Sequence, residues 1–328
     1  MLRARASQTM RILFTGASSF TGFHFVNALV SAGHEVICPL RRPLEEYEGL
    51  RRKRVELLEG KARLSSAGGK LSAASFGSEH FLRIMRDFGP FDLLCHHAAD
   101  VTNYKSPDFD PLRALENNVC NLGNVLATFK SSGGKAVLLT GTVFEMDEGK
   151  GDGPLRAFSP YGLSKGLTWQ IFRHFCRSAG LPLGKFVIPN PFGPWEEPRF
   201  TAYLMNTWRK GETAKVQTPD YIRDNIHVDL LAGAYGVFAG RVAIQTGEPI
   251  KFNPSGYIET QGAFAQRAAR EVQARTQWKC DLDLLVQTEF PEPRIRTNMQ
   301  SARELVPNWN ESGAWDAFVQ FYTKTLGG

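Results

Sequence analysis

The chain has 328 residues, with 39 Lys and Arg against 33 Asp and Glu, a formal net charge of +6; 42% of its residues are hydrophobic and 22% charged. That composition excludes disorder as the main state, a collagen-like repeat and a disulfide-stapled miniprotein, and it suits one large α/β unit or two cooperating domains. No apolar run approaches the ~18 residues of a membrane span, and the basic segment 1–10 has no apolar stretch behind it, so it is not read as a secretory signal. The basic cluster Arg51–Arg54 is interleaved with acids such as Glu48 and Glu56, which marks a solvated surface and not a nucleic-acid stripe. The expected location is the cytoplasm. Cys38, Cys95, Cys120, Cys176 and Cys280 lack zinc-ligand spacing and read as free thiols. His24, His34, His80 and His174 are dispersed over surfaces and helix faces, and no metal site is expected.

In chain order, residues 11–15 predict a strand running into a glycine-containing turn. A helix follows from Gly22 to about Ala32, with Gly33 where a terminating glycine belongs. Strands are expected at 34–40 and 55–58. Residues 60–78, rich in Ser, Gly, Ala and Lys, read as a loop. A helix at 79–88 and a strand at 91–95 come next, then one long helix at 112–130 and a strand at 135–140. Ser159-Pro160 has the form of an N-cap followed by proline at the first helical position. Its helix runs to about Ala179, and a strand fits 183–188. Strands alternating with helices imply a Rossmann-type doubly wound parallel sheet, whose ligands sit at the carboxyl ends of the strands. The dinucleotide-binding domain is expected over 10–188, with 219–242 returning to it. The Pro/Gly-rich stretch 189–194 opens a smaller C-terminal substrate lobe over 189–218 and 243–328.

Three patterns carry chemistry. Thr15-Gly16-Ala17-Ser18-Ser19-Phe20-Thr21-Gly22 lies between a strand and a helix. There, glycines let the backbone approach a pyrophosphate and the helix N-terminus offers N–H donors. Ser19 stands where a middle glycine is usual. Tyr161 and Lys165 are one helical turn apart, so they project from one face. A lysine so placed can lower the phenol's pKa and hold a ribose hydroxyl. Thr140 ends a strand 21 residues before Tyr161, where a hydroxyl can bond a substrate oxygen.

Together these patterns resemble the extended short-chain dehydrogenase/reductase superfamily, in its nucleotide-sugar epimerase/dehydratase branch. His96-His97-Ala98-Ala99, Asn118-Val119, the segment Asn190-Pro191-Phe192-Gly193-Pro194 and Arg223-Asp224-Asn225-Ile226-His227-Val228-Asp229 extend the likeness over roughly residues 10–235. The resemblance implies that Tyr161 is the general acid/base, that Lys165 binds the nicotinamide ribose, and that Thr140 bonds the reacting sugar oxygen. It places the dinucleotide among Gly16, Ser18, Ser19, Phe20, Gly22, His97, Ala98, Ala99, Asn118 and Pro189. It puts Thr142, Asn190 and Arg223 on the substrate, with Arg223 on its diphosphate; a salt bridge to a nearby carboxylate is the structural alternative for that arginine. It also implies a homodimer through the two long helices.

The departures from the family pattern narrow the chemistry. Gly141-Thr142 replaces the Asp-Glu pair of the 4,6-dehydratases, and Thr142 stands where C3/C5-epimerising members carry a cysteine. Phe144 replaces a usual tyrosine. No acid is available at the end of the second strand, where NAD-specific members bond the adenosine ribose; Arg41 and Arg42 follow instead and favour NADP(H), with NAD as the alternative. The expected activity is an NADP-dependent 4-ketoreductase acting on a nucleotide sugar. The alternatives are an NAD-dependent nucleotide-sugar 4-epimerase and a non-catalytic dinucleotide sensor. Phe200, Tyr203, Gln217 and residues 253–261 are further neighbours expected of the substrate.

Overall fold

A computed structural model of the chain describes residues 9–64, 71 and 73–325. Most of segment 1–10 and part of the 60–78 loop therefore lie outside the described residues. The chain divides into two compact units: residues 1–146, 157–187 and 235–252 form the first, and residues 147–156, 188–234 and 253–328 the second. The return to the first unit thus runs from Tyr235 to Phe252, later than the expected 219–242, and a short excursion at 147–156 belongs to the second unit.

The first unit opens with strand β1 (Arg11–Thr15), helix α1 (Phe20–Ser31) and strand β2 (Glu35–Ile37). Ser19 caps α1 by accepting from Gly22 N, and Gly33, at φ 85°, ends the turn beyond it. Residues 55–58, expected as a strand, lie instead in helix α2 (Gly49–Leu58). An apolar run of four residues cannot distinguish the two forms. The run of good helix formers before it does, and α2 buries Arg54, Val55 and Leu58 on one face.

Helix α3 (Glu79–Phe88) and strand β3 (Leu93–His96) come next. The single helix expected over 112–130 is two: α4 (Pro111–Asn118) and α5 (Leu122–Ser131), separated by Asn121 at φ 52°. A tertiary contact makes the break. Asn121 Nδ2 donates to the carbonyl of Gly77 (3.1 Å), and a Cβ on Gly77 would fall 2.1 Å from the carbonyl of Cys120. Strand β4 (Ala136–Thr142) is buried along its whole length, and helix α6 (Pro160–Ala179) starts at the Ser159 cap and ends at Gly180, φ 61°.

The sheet order is Ile250–Phe252, Leu183–Ile188, β4, β3, β1, β2. The pairs β2–β1, β1–β3, β3–β4 and that of the two remaining strands are parallel. Phe81, Phe129 and Phe172 from α3, α5 and α6 cover one face with Leu13, Leu94 and Val137 beneath them. Phe25 of α1 and Tyr235 stack at 4.0 Å within the same unit. Burying strands from both sides explains their unbroken apolar character. Cys38, Cys95, Cys176 and Cys280 are buried and Cys120 is exposed, all as free thiols. His34 is not a surface residue: it is buried, and its Nδ1 accepts from Met10 N (3.2 Å).

The second unit is built on the strand Ile222–His227. It pairs antiparallel with Tyr257–Thr260 and parallel with Ile295–Thr297 and Asn190–Phe192. Glu196 is buried here. Its Oε1 accepts from Thr201 Oγ1 (2.6 Å) and Tyr322 Oη (2.9 Å), while its Oε2 meets no partner among the described residues. Burial pushes this carboxyl up from 4.5 to about 7, against the lowering effect of those bonds. Between those two values the folded chain holds a proton that the unfolded chain releases, so this group's contribution to stability falls as pH rises. Glu196→Gln keeps an acceptor for both hydroxyls. It is expected to raise the unfolding free energy at pH 8 by roughly 1–3 kcal/mol and to change it little at pH 4; urea unfolding at the two pH values measures both.

Candidate active site

Four loops meet at the carboxyl edge of the parallel sheet in the first unit. The turn after β1 touches the loop after β3: a Cβ on Gly16 would lie 2.8 Å from Ala98 N. The turn also closes on itself, since a Cβ on Gly22 would lie 2.2 Å from the Gly16 carbonyl. Ser19 has φ −74°, so no glycine is needed there for backbone reasons. Its hydroxyl donates to Gly16 O (2.9 Å) and points into the protein. Phe20 is buried, and Ser18 is half-buried.

The region suits the anionic middle of a dinucleotide. α1 presents its N-terminus with no acid in its first turn. Beneath the turn, Arg54 is fully buried, and its Nε donates to the Ser18 carbonyl (3.0 Å). The sequence reading placed Arg54 in a solvated cluster. Only the helical phase of α2, which turns positions 54, 55 and 58 inward, distinguishes it from its neighbours. Arg41 and Arg42 are exposed beyond β2. Arg41 lies in the field of Asp100. Burial works to raise that carboxyl, but bonds from Thr102 and Asn117, and the Arg41 charge, hold it below its ordinary range.

Behind β3, His96 Nε2 donates to the carbonyl of Asn118 (3.1 Å), and its Nδ1 receives the Thr15 hydroxyl (3.0 Å). Thr15 Oγ1 in turn accepts from Ala98 N (3.1 Å). Asn118 is buried. Its amide donates to Thr168 Oγ1 (3.2 Å) and its Oδ1 accepts from Asp100 N (2.9 Å), so its side chain holds the loop that carries Ala98 and Ala99. His97, with its ring between Phe14 and Phe25, lies 3.1 Å from Thr140 Oγ1 through Nδ1. Its Nε2 lies 3.0 Å from Ser19 Oγ and 3.1 Å from Thr21 Oγ1. Burial, then the nearby Lys165 and His96, lower His97 to about 3, so the ring is neutral near pH 7.

Thr140 is buried near the end of β4. Helix α6, which carries Tyr161 and Lys165, starts against the turn after β4: a Cβ on Gly162 would lie 2.2 Å from the Phe144 carbonyl. The Tyr161 ring packs against Tyr104 (5.2 Å) and Phe109 (6.1 Å). Lys165 is buried. Burial lowers its ammonium to about 8; Glu145 opposes the shift and Lys185 adds to it. Glu145 and Lys185 form a fully buried ion pair at 2.5 Å, and Lys185 also sits 5.0 Å over the Trp169 ring. Glu145 Oε1 accepts from Thr142 N (2.7 Å). Thr142 is buried, and its Oγ1 accepts from Phe144 N at 3.4 Å. A Cβ on Gly141 would meet Lys185 Cε at 2.5 Å and Glu145 Oε1 at 2.8 Å. Nothing in the chain order announces this pair, since its members are 40 residues apart.

Asn190, Pro189 and Arg223 belong to the second unit. Asn190 sits in register with Asn225, and its Nδ2 is buried without a partner among the described residues. Arg223 pairs with Glu292 (3.0 Å), stacks over Tyr221 (4.2 Å) and donates to the carbonyls of Pro293 (3.0 Å) and Arg294 (3.2 Å). The carboxylate partner named as its structural alternative is present. Among the described residues no cluster of His, Cys, Asp and Glu could hold a metal ion, and no helix is long and apolar enough to cross a membrane.

A family model described as the NAD dependent epimerase/dehydratase family matches residues 12–250. The chain belongs to this family. That membership makes it an enzyme of the extended short-chain dehydrogenase/reductase type. A UDP-glucose 4-epimerase of Mycolicibacterium smegmatis is 23% identical over 260 residues, covering 74% of this chain and 78% of the relative. The fold is shared with solved structures. A UDP-glucose 4-epimerase of Thermotoga maritima, crystallised with UDP-glucose, is 20% identical with TM-score 0.71, over 97% of this chain and 100% of that one. A UDP-glucose 4-epimerase of Stenotrophomonas maltophila, with NAD and formylated UDP-arabinopyranose, is 16% identical with TM-score 0.75, over 97% and 99% of the two chains. A dTDP-glucose 4,6-dehydratase of Streptomyces venezuelae, with NAD bound, is 18% identical with TM-score 0.72, over 97% and 98%.

The buried pair makes a testable demand. Lys185→Met leaves Glu145 charged in the core without this partner and is expected to cost about 3–5 kcal/mol. Adding Glu145→Gln, which keeps the acceptor for Thr142 N, is expected to restore most of that loss. Guanidinium unfolding of the single and double variants measures both.

Proposed function

We propose that this protein is a nicotinamide-dependent oxidoreductase that acts at a hydroxyl-bearing carbon of a nucleotide sugar, as a 4-epimerase. The observation that supports the reading is the close seat of α6, which carries Tyr161 and Lys165, on the turn after β4, the strand that carries Thr140. A bound nicotinamide would supply the hydride acceptor and donor. Tyr161 exchanges the proton of the sugar hydroxyl. Lys165, a buried cation one turn away, favours the phenolate form and holds the ribose. Thr140 bonds the reacting oxygen. Gly16, Ser18, Ser19 and Gly22 line the pyrophosphate, with Arg54 reinforcing the positive end of α1. Asn190 faces the substrate with its unpartnered amide, and Arg223 reaches the diphosphate once released from Glu292. Gly141 and Thr142 supply neither the acid nor the base for water elimination, which separates the reading from a dehydratase. The UDP-glucose 4-epimerase likeness over three quarters of the chain supports the choice of reaction.

Arg41 and Arg42 favour a second reading. Exposed beyond β2, they suit a 2′-phosphate, and a 4-ketoreductase would consume NADPH stoichiometrically. In either case α6, with Phe175 exposed on it, is the face on which a second copy is expected to pair.

Nucleotide released by denaturing fresh protein, identified by mass spectrometry, separates the two readings. Retained NAD with interconversion of UDP-glucose and UDP-galactose supports the epimerase. Weakly held cofactor and an NADPH preference that Arg41→Ala and Arg42→Ala abolish support the ketoreductase. In both, Tyr161→Phe is expected to lower turnover by about 10²–10⁴-fold with little change in KM; unchanged turnover would favour a dinucleotide sensor.

A further inference from the structure

The family resemblance sets His97 beside the dinucleotide and gives its ring no step in the reaction, yet the ring is hydrogen-bonded to the Thr140 hydroxyl on one side and to the cap of α1 on the other. Four contacts define its state: Ser19 Oγ to Gly16 O at 2.9 Å, Ser19 Oγ to His97 Nε2 at 3.0 Å, Thr21 Oγ1 to His97 Nε2 at 3.1 Å, and Thr140 Oγ1 to His97 Nδ1 at 3.1 Å. Ser19 has one proton. If Nε2 were bare, that proton could satisfy either Gly16 O or Nε2, and the other contact would set two lone pairs face to face. If Nε2 carries the proton, all four contacts are attractive. Nε2–H then lies between the Ser19 and Thr21 oxygens, and Ser19 donates to Gly16 O. The second lone pair of Ser19 receives Gly22 N, which lies 3.1 Å away. A doubly protonated ring would also fit these contacts, but burial beside the Lys165 ammonium and His96 keeps the ring neutral. Neutral His97 with its proton on Nε2 has a bare Nδ1, and Thr140 must donate to it.

We infer that His97 is a positioning residue that holds the Thr140 proton in the resting site and so fixes the orientation of that hydroxyl. The inference rests on Thr140 being the group that bonds the reacting oxygen, as proposed above. It deepens that reading by naming the side chain on which the set of the Thr140 hydroxyl depends. Through the same ring, the orientation of Thr140 depends on the Ser19 cap, and so on the turn that receives the dinucleotide.

Two measurements test this. The ¹⁵N shifts of the His97 ring in the full-length labelled protein at pH 7, assigned by loss of the signal in His97→Leu, are expected to show Nε2 protonated and Nδ1 bare. A ring protonated at Nδ1 overturns the inference. Kinetics then separate positioning from a structural part. His97→Leu is expected to lower kcat about tenfold with KM nearly unchanged. His97→Asn, whose Oδ1 can stand in for Nδ1, is expected to recover most of that rate. In a Thr140→Val background, His97→Leu should cost nothing more; an equal loss in both backgrounds overturns the inference. The tautomer is read without substrate, so failure of the epimerase reading leaves it standing, and a wrong tautomer leaves the epimerase reading standing.

Discussion

The space where a side chain of Gly162 would begin is taken by the carbonyl of Phe144. That close seat sets where α6, with Tyr161 and Lys165 on its first turns, starts relative to the end of β4, where Thr140 lies. A Cβ at Gly162 would lift the start of the helix by about an ångström, a displacement large enough to matter for any chemistry placed there. The same economy governs the turn after β1. Gly22 closes on the Gly16 carbonyl and Gly16 on Ala98 N, so the loops after β1 and β3 make one surface. Histidine side chains then tie that surface together, His96 to Thr15 and Asn118, and His97 to Thr140, Ser19 and Thr21.

Behind this edge lies an unusual amount of buried charge. Lys165, Lys185 and Glu145 are all enclosed, and Arg54 is enclosed under the turn after β1. Burial of charge is costly unless it is paired. Glu145 meets that need for Lys185 directly and offsets the repulsion that Lys185 exerts on Lys165. It also anchors Thr142 N. One carboxylate thus compensates two cations and fixes the backbone beyond Thr140, and Gly141 leaves the room for it to do so.

Much of this was legible in the chain itself. The alternation of strands and helices, the glycine turn at 15–22, the cap at Ser159 and the Tyr161–Lys165 spacing each depend on local rules, and each reappears where those rules put it. The misread elements failed for identifiable reasons. Residues 55–58 are too short a run to show a period, and the interruption at Asn121 is imposed by the loop at Gly77, which no local pattern reports. Arg54 looked solvated because composition averages over a helix, whereas burial follows its phase.

By itself, the sequence determined the fold class, most of the alternation of strands and helices and the local form of the glycine turn at 15–22 and of the helix that carries Tyr161 and Lys165, because these depend on backbone periodicity and short-range sterics. Only the tertiary structure decided what those residues touch. It alone joins Glu145 to Lys185 across 40 positions and His97 to Thr140 across 43. It alone ties Arg223 to Glu292 and commits Asn118 to Thr168. Those contacts arise from side-chain orientation and from the desolvation of charge, and both come into existence only when distant segments pack.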